Sequence, residues 1–115
     1  MIYKGSCHCG QVALEVEGDI GQVIDCNCSM CSRRGSLLWF VPHDKLKLLS
    51  DEAKARTYTF NKQLIKHRFC PECGIHAFGE GSDRSGQKMA AINVRCLEGV
   101  DLSALSVKHF DGRAL

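Results

Sequence analysis

Apolar and polar residues alternate over 12–17, where Val12, Leu14 and Val16 interleave with Ala13, Glu15 and Glu17 before Gly18-Asp19. A period of two predicts a strand with one buried face. Val23-Ile24 is a shorter apolar step running into Cys26. Residues 36–41 are apolar almost without a break and stop at Pro42, which predicts a strand covered on both faces. Residues 57–60 and 64–69 read as strands joined by a turn at Asn61-Lys62-Gln63. Two more, 75–78 and 89–94, flank a glycine-rich polar stretch over 79–86 that is expected to be a mobile loop. Helix is confined to 29–34, closed by Gly35, and to a turn opening at Asp101. The pattern predicts a mainly β fold of short strands with little helix. It contains no repeat or internal boundary, so 1–115 reads as one domain.

Composition narrows the function classes. A chain of 115 residues builds only a modest core, and a net charge of +2 gives no bulk electrostatic drive toward nucleic acid. The longest apolar run, 37–41, is far too short to span a bilayer. Met1-Ile2-Tyr3-Lys4-Gly5 does not read as a signal peptide. The expectation is a cytoplasmic protein with neither a membrane nor a nucleic-acid partner.

Cysteine changes the picture most. Seven of the 8 thiols fall in three clusters, Cys7/Cys9, Cys26/Cys28/Cys31 and Cys70/Cys73, with Cys96 apart. Cysteines two apart are too close for an unstrained disulfide, and a reducing compartment favours metal over disulfide in any case. Thiolates at such spacing suit a small soft cation, above all Zn²⁺. Joining Cys7/Cys9 with Cys70/Cys73 gives a closed, structural four-thiolate site, with Gly10 and Gly74 supplying tight knuckles. Cys26, Cys28 and Cys31 then form a triple with one position left for water or substrate, the pattern of a catalytic zinc. Two other pairings stay open: Cys96 completing the triple, or two of its thiols joining Cys70/Cys73.

Other candidates rest on charge or position. Arg33 and Arg34 follow the triple and could draw a carboxylate-bearing ligand to its metal, with Lys62, Arg68 and Arg95 extending the cationic rim. Taken singly, each is more simply a solvated charge. His8, between two ligands, should face outward, and His67, His76 and His109 read as satisfied structural residues. Trp39 and Phe40 read as core.

Three segments carry a family resemblance: Gly5-Ser6-Cys7-His8-Cys9-Gly10-Gln11-Val12, Cys26-Asn27-Cys28-Ser29-Met30-Cys31 and Phe69-Cys70-Pro71-Glu72-Cys73-Gly74. Together with Asn93-Val94-Arg95-Cys96-Leu97-Glu98-Gly99-Val100-Asp101, they resemble the glutathione-dependent formaldehyde-activating enzyme family, which includes centromere protein V. The resemblance implies a zinc-stapled β-tent of short antiparallel sheets with two zinc sites. In it Cys7, Cys9, Cys70 and Cys73 hold the structural ion and Cys26, Cys28 and Cys31 the catalytic one, leaving Cys96 as a non-ligand or as a reserve ligand when no substrate is bound. It implies a carbon–sulfur lyase-type enzyme that joins glutathione and formaldehyde as S-hydroxymethylglutathione; charge alone, and not the resemblance, points to Arg33, Arg34 or Lys62 for the glutathione carboxylates. The alternative is a non-catalytic zinc module or a carrier of thiol adducts. The chain is shorter than the named enzymes and has no basic tail suited to chromatin.

Overall fold

The computed structural model describes residues 1–60 and 64–112. The alternation over 12–17 becomes β2 (Ala13–Glu17), which hydrogen-bonds antiparallel to β1 (Ile2–Ser6) on one side and β5 (Leu46–Leu48) on the other. Leu14 and Val16 are fully buried on its inner face while Glu17 is exposed. This small sheet covers a larger one, in the order β10 (Ser106–Phe110), β3 (Gln22–Cys26), β4 (Leu38–Pro42), β9 (Lys88–Asn93), β8 (His76–Ser82), β7 (Lys66–Phe69) and β6 (Arg56–Tyr58). Val23, Trp39, Val41, Phe78, Ala90 and Ile92 fill the core with Val12, Leu14 and Val16. Tyr3 meets Trp39 edge to face, with ring centroids 5.8 Å apart, joining the first strand to the second sheet.

The sheets come closest at Gly5, which bridges Leu97. A Cβ on Gly5 would lie 2.5 Å from the Cys96 carbonyl oxygen, so only glycine allows the backbones to meet there. The Glu98 amide donates to the Lys4 carbonyl at 2.8 Å and continues the seam.

Several expectations change. The apolar run at 36–41 is not covered on both faces, because Phe40 is 50% exposed while its neighbours Trp39 and Val41 are buried. The first half of the stretch 79–86 is strand rather than loop: β8 continues to Ser82 and pairs with β9 as far as Ser82–Lys88. Its turn is ordered by the Asp83 carboxylate, which accepts from the Ser85 and Gln87 amides at 2.9 and 3.0 Å. The expected turn at Asn61-Lys62-Gln63 lies outside the described residues. Helix α1 (Cys31–Arg34) is shorter than expected, and ends at Gly35 in the left-handed region with φ 68°. The turn at Asp101 is a 3₁₀ turn over Leu102–Ala104, capped by the Asp101 side chain. Strands β1, β5 and β10 have no counterpart in the pattern reading. The sheets are antiparallel except at one edge, where β10 runs parallel to β3.

Candidate metal centres and adjoining cleft

Two knuckles build the first centre. The loop after β1 and the loop after β7 fold alike, with the Cys7 amide donating to the Val12 carbonyl and the Cys70 amide to the Ile75 carbonyl, at 2.9 and 3.0 Å. Gly10 and Gly74 take φ 84° and 80°, a conformation that L residues with a Cβ rarely adopt. The sulfurs of Cys7, Cys9, Cys70 and Cys73 lie within 4.8 Å of one another. Cys7–Cys9 and Cys9–Cys70 are separated by 3.7 and 3.6 Å, far beyond a disulfide bond. With Zn–S near 2.3 Å, a tetrahedral site has sulfur–sulfur edges of about 3.8 Å, so the spacing fits that ion. The Val12 amide, 3.3 Å from Cys7 Sγ, supplies a hydrogen bond of the kind that supports a thiolate ligand.

Protonation equilibria agree. The Gln11 amide lowers Cys9, but the Cys70 thiol, burial and the other thiols outweigh it and push Cys9 up to about 12. Backbone amides of Cys9 and Ile75 draw Cys73 down to about 6. Crowded thiols cannot all ionise without a cation between them, and a metal relieves that conflict.

The second centre stands on α1. Cys26 ends β3, Cys28 sits in the following turn and Cys31 opens the helix, and their sulfurs also lie within 4.8 Å of one another. The Cys28 amide points at Cys26 Sγ (3.4 Å) and the Cys31 amide at Cys28 Sγ (3.3 Å). Burial pushes Cys28 up, but those local amide and thiol bonds bring it below its ordinary value, while burial raises Cys26 and Cys31. Among the described residues no fourth cysteine, histidine or carboxylate joins the triple. Gly112 lies against it, since a Cβ there would be 2.5 Å from Cys26 Sγ. Asn27 holds that segment by donating to the Phe110 carbonyl at 3.1 Å and to Asp111 Oδ1 at 3.0 Å.

Cys96 does not complete the triple. Burial and the neighbouring Cys7 and Cys73 raise its thiol to about 11, which places it beside the four-thiol centre. Asn93 Nδ2 lies 3.6 Å from its sulfur. The pairing of two triple thiols with Cys70/Cys73 is likewise absent.

Two open clefts, each of about 330 Å³, flank the triple. One is lined by Asp25, Cys26, Asn27, Ser32, His109 and Phe110, with Asp25 and His109 paired at 3.2 Å. The other runs past α1 between Ser29, Met30, Arg33 and Arg34 on one side and Tyr58 and Phe60 on the other. Arg33 donates to the Ser29 carbonyl at 2.6 Å and stays exposed. Arg34 is half-buried; burial lowers its pKa, opposed by Cys31 and Tyr58.

The wider cationic rim is not there as expected. Arg68 is 5% exposed and belongs to the interior. It donates to Glu80 at 2.7 Å and to the Glu52 and Ala55 carbonyls at 3.0 Å each, while its guanidinium lies 5.6 Å from the centre of the Phe78 ring. Burial alone would raise Glu80, but His43 at 2.6 Å and Arg68 hold it below the usual carboxylate range. Arg95 is exposed on the 3₁₀ turn after β9, and Lys62 lies outside the described residues. His8 is exposed as expected, whereas His76 is buried with neither ring nitrogen satisfied. Sequence reasoning did not single out Tyr58, Phe60, Gly112 or the meeting of the His67 and His76 rings, 5.9 Å apart. Their approach depends on strand register, which no local motif announces.

Comparison with known proteins fits this arrangement. The family model described as glutathione-dependent formaldehyde-activating enzyme matches residues 2–110. The chain belongs to that family. A Colletotrichum graminicola protein named as a candidate glutathione-dependent formaldehyde-activating enzyme is 27% identical over 79 residues, covering 64% of this chain and 41% of its own. A like-named Talaromyces marneffei protein is 29% identical over 79 residues, covering 64% of this chain and 42% of its own. The chain thus spans about two fifths of the length of the curated relatives it matches. A Rhodobacter sphaeroides protein of known crystal structure, solved as a structural-genomics target, superposes with a TM-score of 0.78. It is 32% identical, and the match covers 91% of this chain and 99% of that one. Among the described residues no helix is long and apolar enough to cross a membrane.

Proposed function

We propose that the chain is a zinc-dependent carbon–sulfur lyase-type enzyme whose Cys26/Cys28/Cys31 centre receives a thiol, with glutathione and formaldehyde as the substrates. The observation that carries this reading is the contrast between the two centres. One has four thiols and is closed, while the other offers three thiols between two open clefts. In the reaction, the sulfur–carbon bond of S-hydroxymethylglutathione forms as the carbonyl π bond opens, and the thiol proton ends on the new hydroxyl.

Cys26, Cys28 and Cys31 would hold the ion, whose Lewis acidity favours a substrate thiolate at neutral pH. The chain's own residues supply the rest. The Cys28 and Cys31 amides keep the ligand sulfurs oriented. Gly112 packs against Cys26, and the Asn27 contacts tether its segment there. Arg33 and Arg34 line the cleft and supply positive charge for substrate carboxylates. Cys7, Cys9, Cys70 and Cys73 would hold a structural ion. We place the activity in a reducing, cytoplasmic setting, in line with eight free thiols, and read 1–115 as one functional domain.

Magnetisation-exchange NMR on glutathione and formaldehyde, with zinc-loaded protein, tests the assignment against the uncatalysed combination of the two reagents. Wild type should accelerate exchange, and Cys28→Ser should return it to the uncatalysed rate with the fold retained. Equal acceleration by wild type and Cys28→Ser would refute the enzymatic reading; no acceleration by either would leave a non-catalytic zinc module or adduct carrier.

A further inference from the structure

Three buried polar atoms on two residues lack a hydrogen-bond partner: Arg34 Nη1, on the helix that Cys31 opens, and both ring nitrogens of His76 on β8. Arg34 acts electrostatically on His76 and on His67, and those two rings stand 5.9 Å apart. Arg34 also senses Cys31 and Tyr58, so it links the triple to this wall. The wall continues outward as stacked rings, His67 to Phe60 at 5.3 Å and Phe60 to Tyr58 at 5.9 Å, and opens into the cleft of about 330 Å³.

His76 is held firmly. Its backbone carbonyl accepts from Asn93 Nδ2 at 2.9 Å, and the residue is only 6% exposed. Burial, reinforced by Arg34 and His67, lowers its pKa to about 3, against which the nearby Phe78 backbone acts weakly and outside hydrogen-bond geometry. The imidazole is therefore neutral at physiological pH and carries one N–H. Arg34 offers donors only. Buried donors without acceptors are rare in folded proteins, and a group that only accepts would satisfy both. A carboxylate is such a group, and its charge matches the guanidinium.

We propose that Arg34 and His76 form an anchoring slot for a carboxylate of the thiol received at the Cys26/Cys28/Cys31 centre, with Tyr58 and Phe60 lining the approach. The inference rests on the thiol-binding reading above and extends it. It separates Arg34 from Arg33, whose guanidinium is engaged by Ser29, and gives the buried histidine a role in recognition. The slot favours thiols that carry a carboxylate over those that do not.

Isothermal titration calorimetry on the zinc-loaded full chain tests this with glutathione, its diethyl ester and S-methylglutathione. Wild type should bind glutathione roughly ten- to a hundredfold more tightly than the diester, the span expected for charge-assisted hydrogen bonds. Arg34→Ala and His76→Phe should weaken glutathione toward the diester and leave the diester unchanged. The comparison of glutathione with diester needs no substitution, so it stands even if a variant misfolds. S-methylglutathione keeps the carboxylates but has no free thiol. If it binds as tightly as glutathione in wild type and loses affinity in Arg34→Ala, the slot stands and the metal-centred thiol reading falls. Equal affinity of wild type for glutathione and diester overturns the slot, as does discrimination that survives Arg34→Ala. Absence of binding by any of the three overturns both.

Discussion

His76 and Arg68 occupy neighbouring strands and are both buried, yet their surroundings differ. The Arg68 Nη atoms are enclosed by Glu80 and two backbone carbonyls, leaving only Nε without a partner, whereas neither nitrogen of the His76 ring has one. Neither environment was legible in the sequence, because Glu80 and Glu52 are 12 and 16 residues from Arg68 and meet it only through the pairing of β7 with β8 and the turn before β6. The cysteines were legible, since chelating pairs are set by local spacing alone. His76 gives a pH prediction. The unfolded chain takes its proton near the ordinary histidine value of about 6.5, while the folded protein holds it off to about 3. The unfolded state therefore binds more protons within that window, and stability is lost as pH falls through it. Between about pH 7 and about pH 5.5 this group alone should cost on the order of 1 kcal/mol. Urea unfolding should show wild type losing that much more than His76→Phe over the same interval. Parallel losses in the two proteins would contradict the buried neutral imidazole.

At the level of elements, β2 was readable because one face is buried and the other wet. β10 was not, because all five of its residues are exposed and no alternation survives. β8 was misread for the opposite reason. Its glycines suggested a loop, but Gly79 is buried and packs beneath the Lys66 carbonyl, where a Cβ would stand 3.5 Å away. Helix α1 has four residues and no side-chain cap at its start, too little to persist by itself. A metal on Cys26, Cys28 and Cys31 would pin it. Chelation of the second centre should therefore speed hydrogen exchange of the Ser32 and Gly35 amides well before those of β4 and β9. Simultaneous loss of protection would show that α1 is held by other contacts. The knuckles predict a larger effect. Cys73→Ser opens the four-thiol centre and should abolish cooperative thermal unfolding, whereas Cys28→Ser should melt nearly as wild type does. A cooperatively melting Cys73→Ser protein would contradict the stapling role.

For the whole molecule, the four-thiol centre joins two sheets. Cys7 and Cys9 follow β1 of the small sheet, while Cys70 and Cys73 follow β7 of the large one, and Cys9 and Cys70 are 61 residues apart. A closed loop of that length is costly to order in a small domain, so an ion there stabilises the arrangement far more than it would within one hairpin. The second centre closes no comparable loop and adjoins an open cleft, which is why we propose a structural role for the first and a chemical one for the second. The most direct test is zinc per chain by elemental mass spectrometry, on protein purified without chelators and then equilibrated with zinc. The account predicts two equivalents in wild type and one in Cys28→Ser. A wild-type protein that never takes up more than one equivalent, or a Cys28→Ser variant that still holds two, would contradict it.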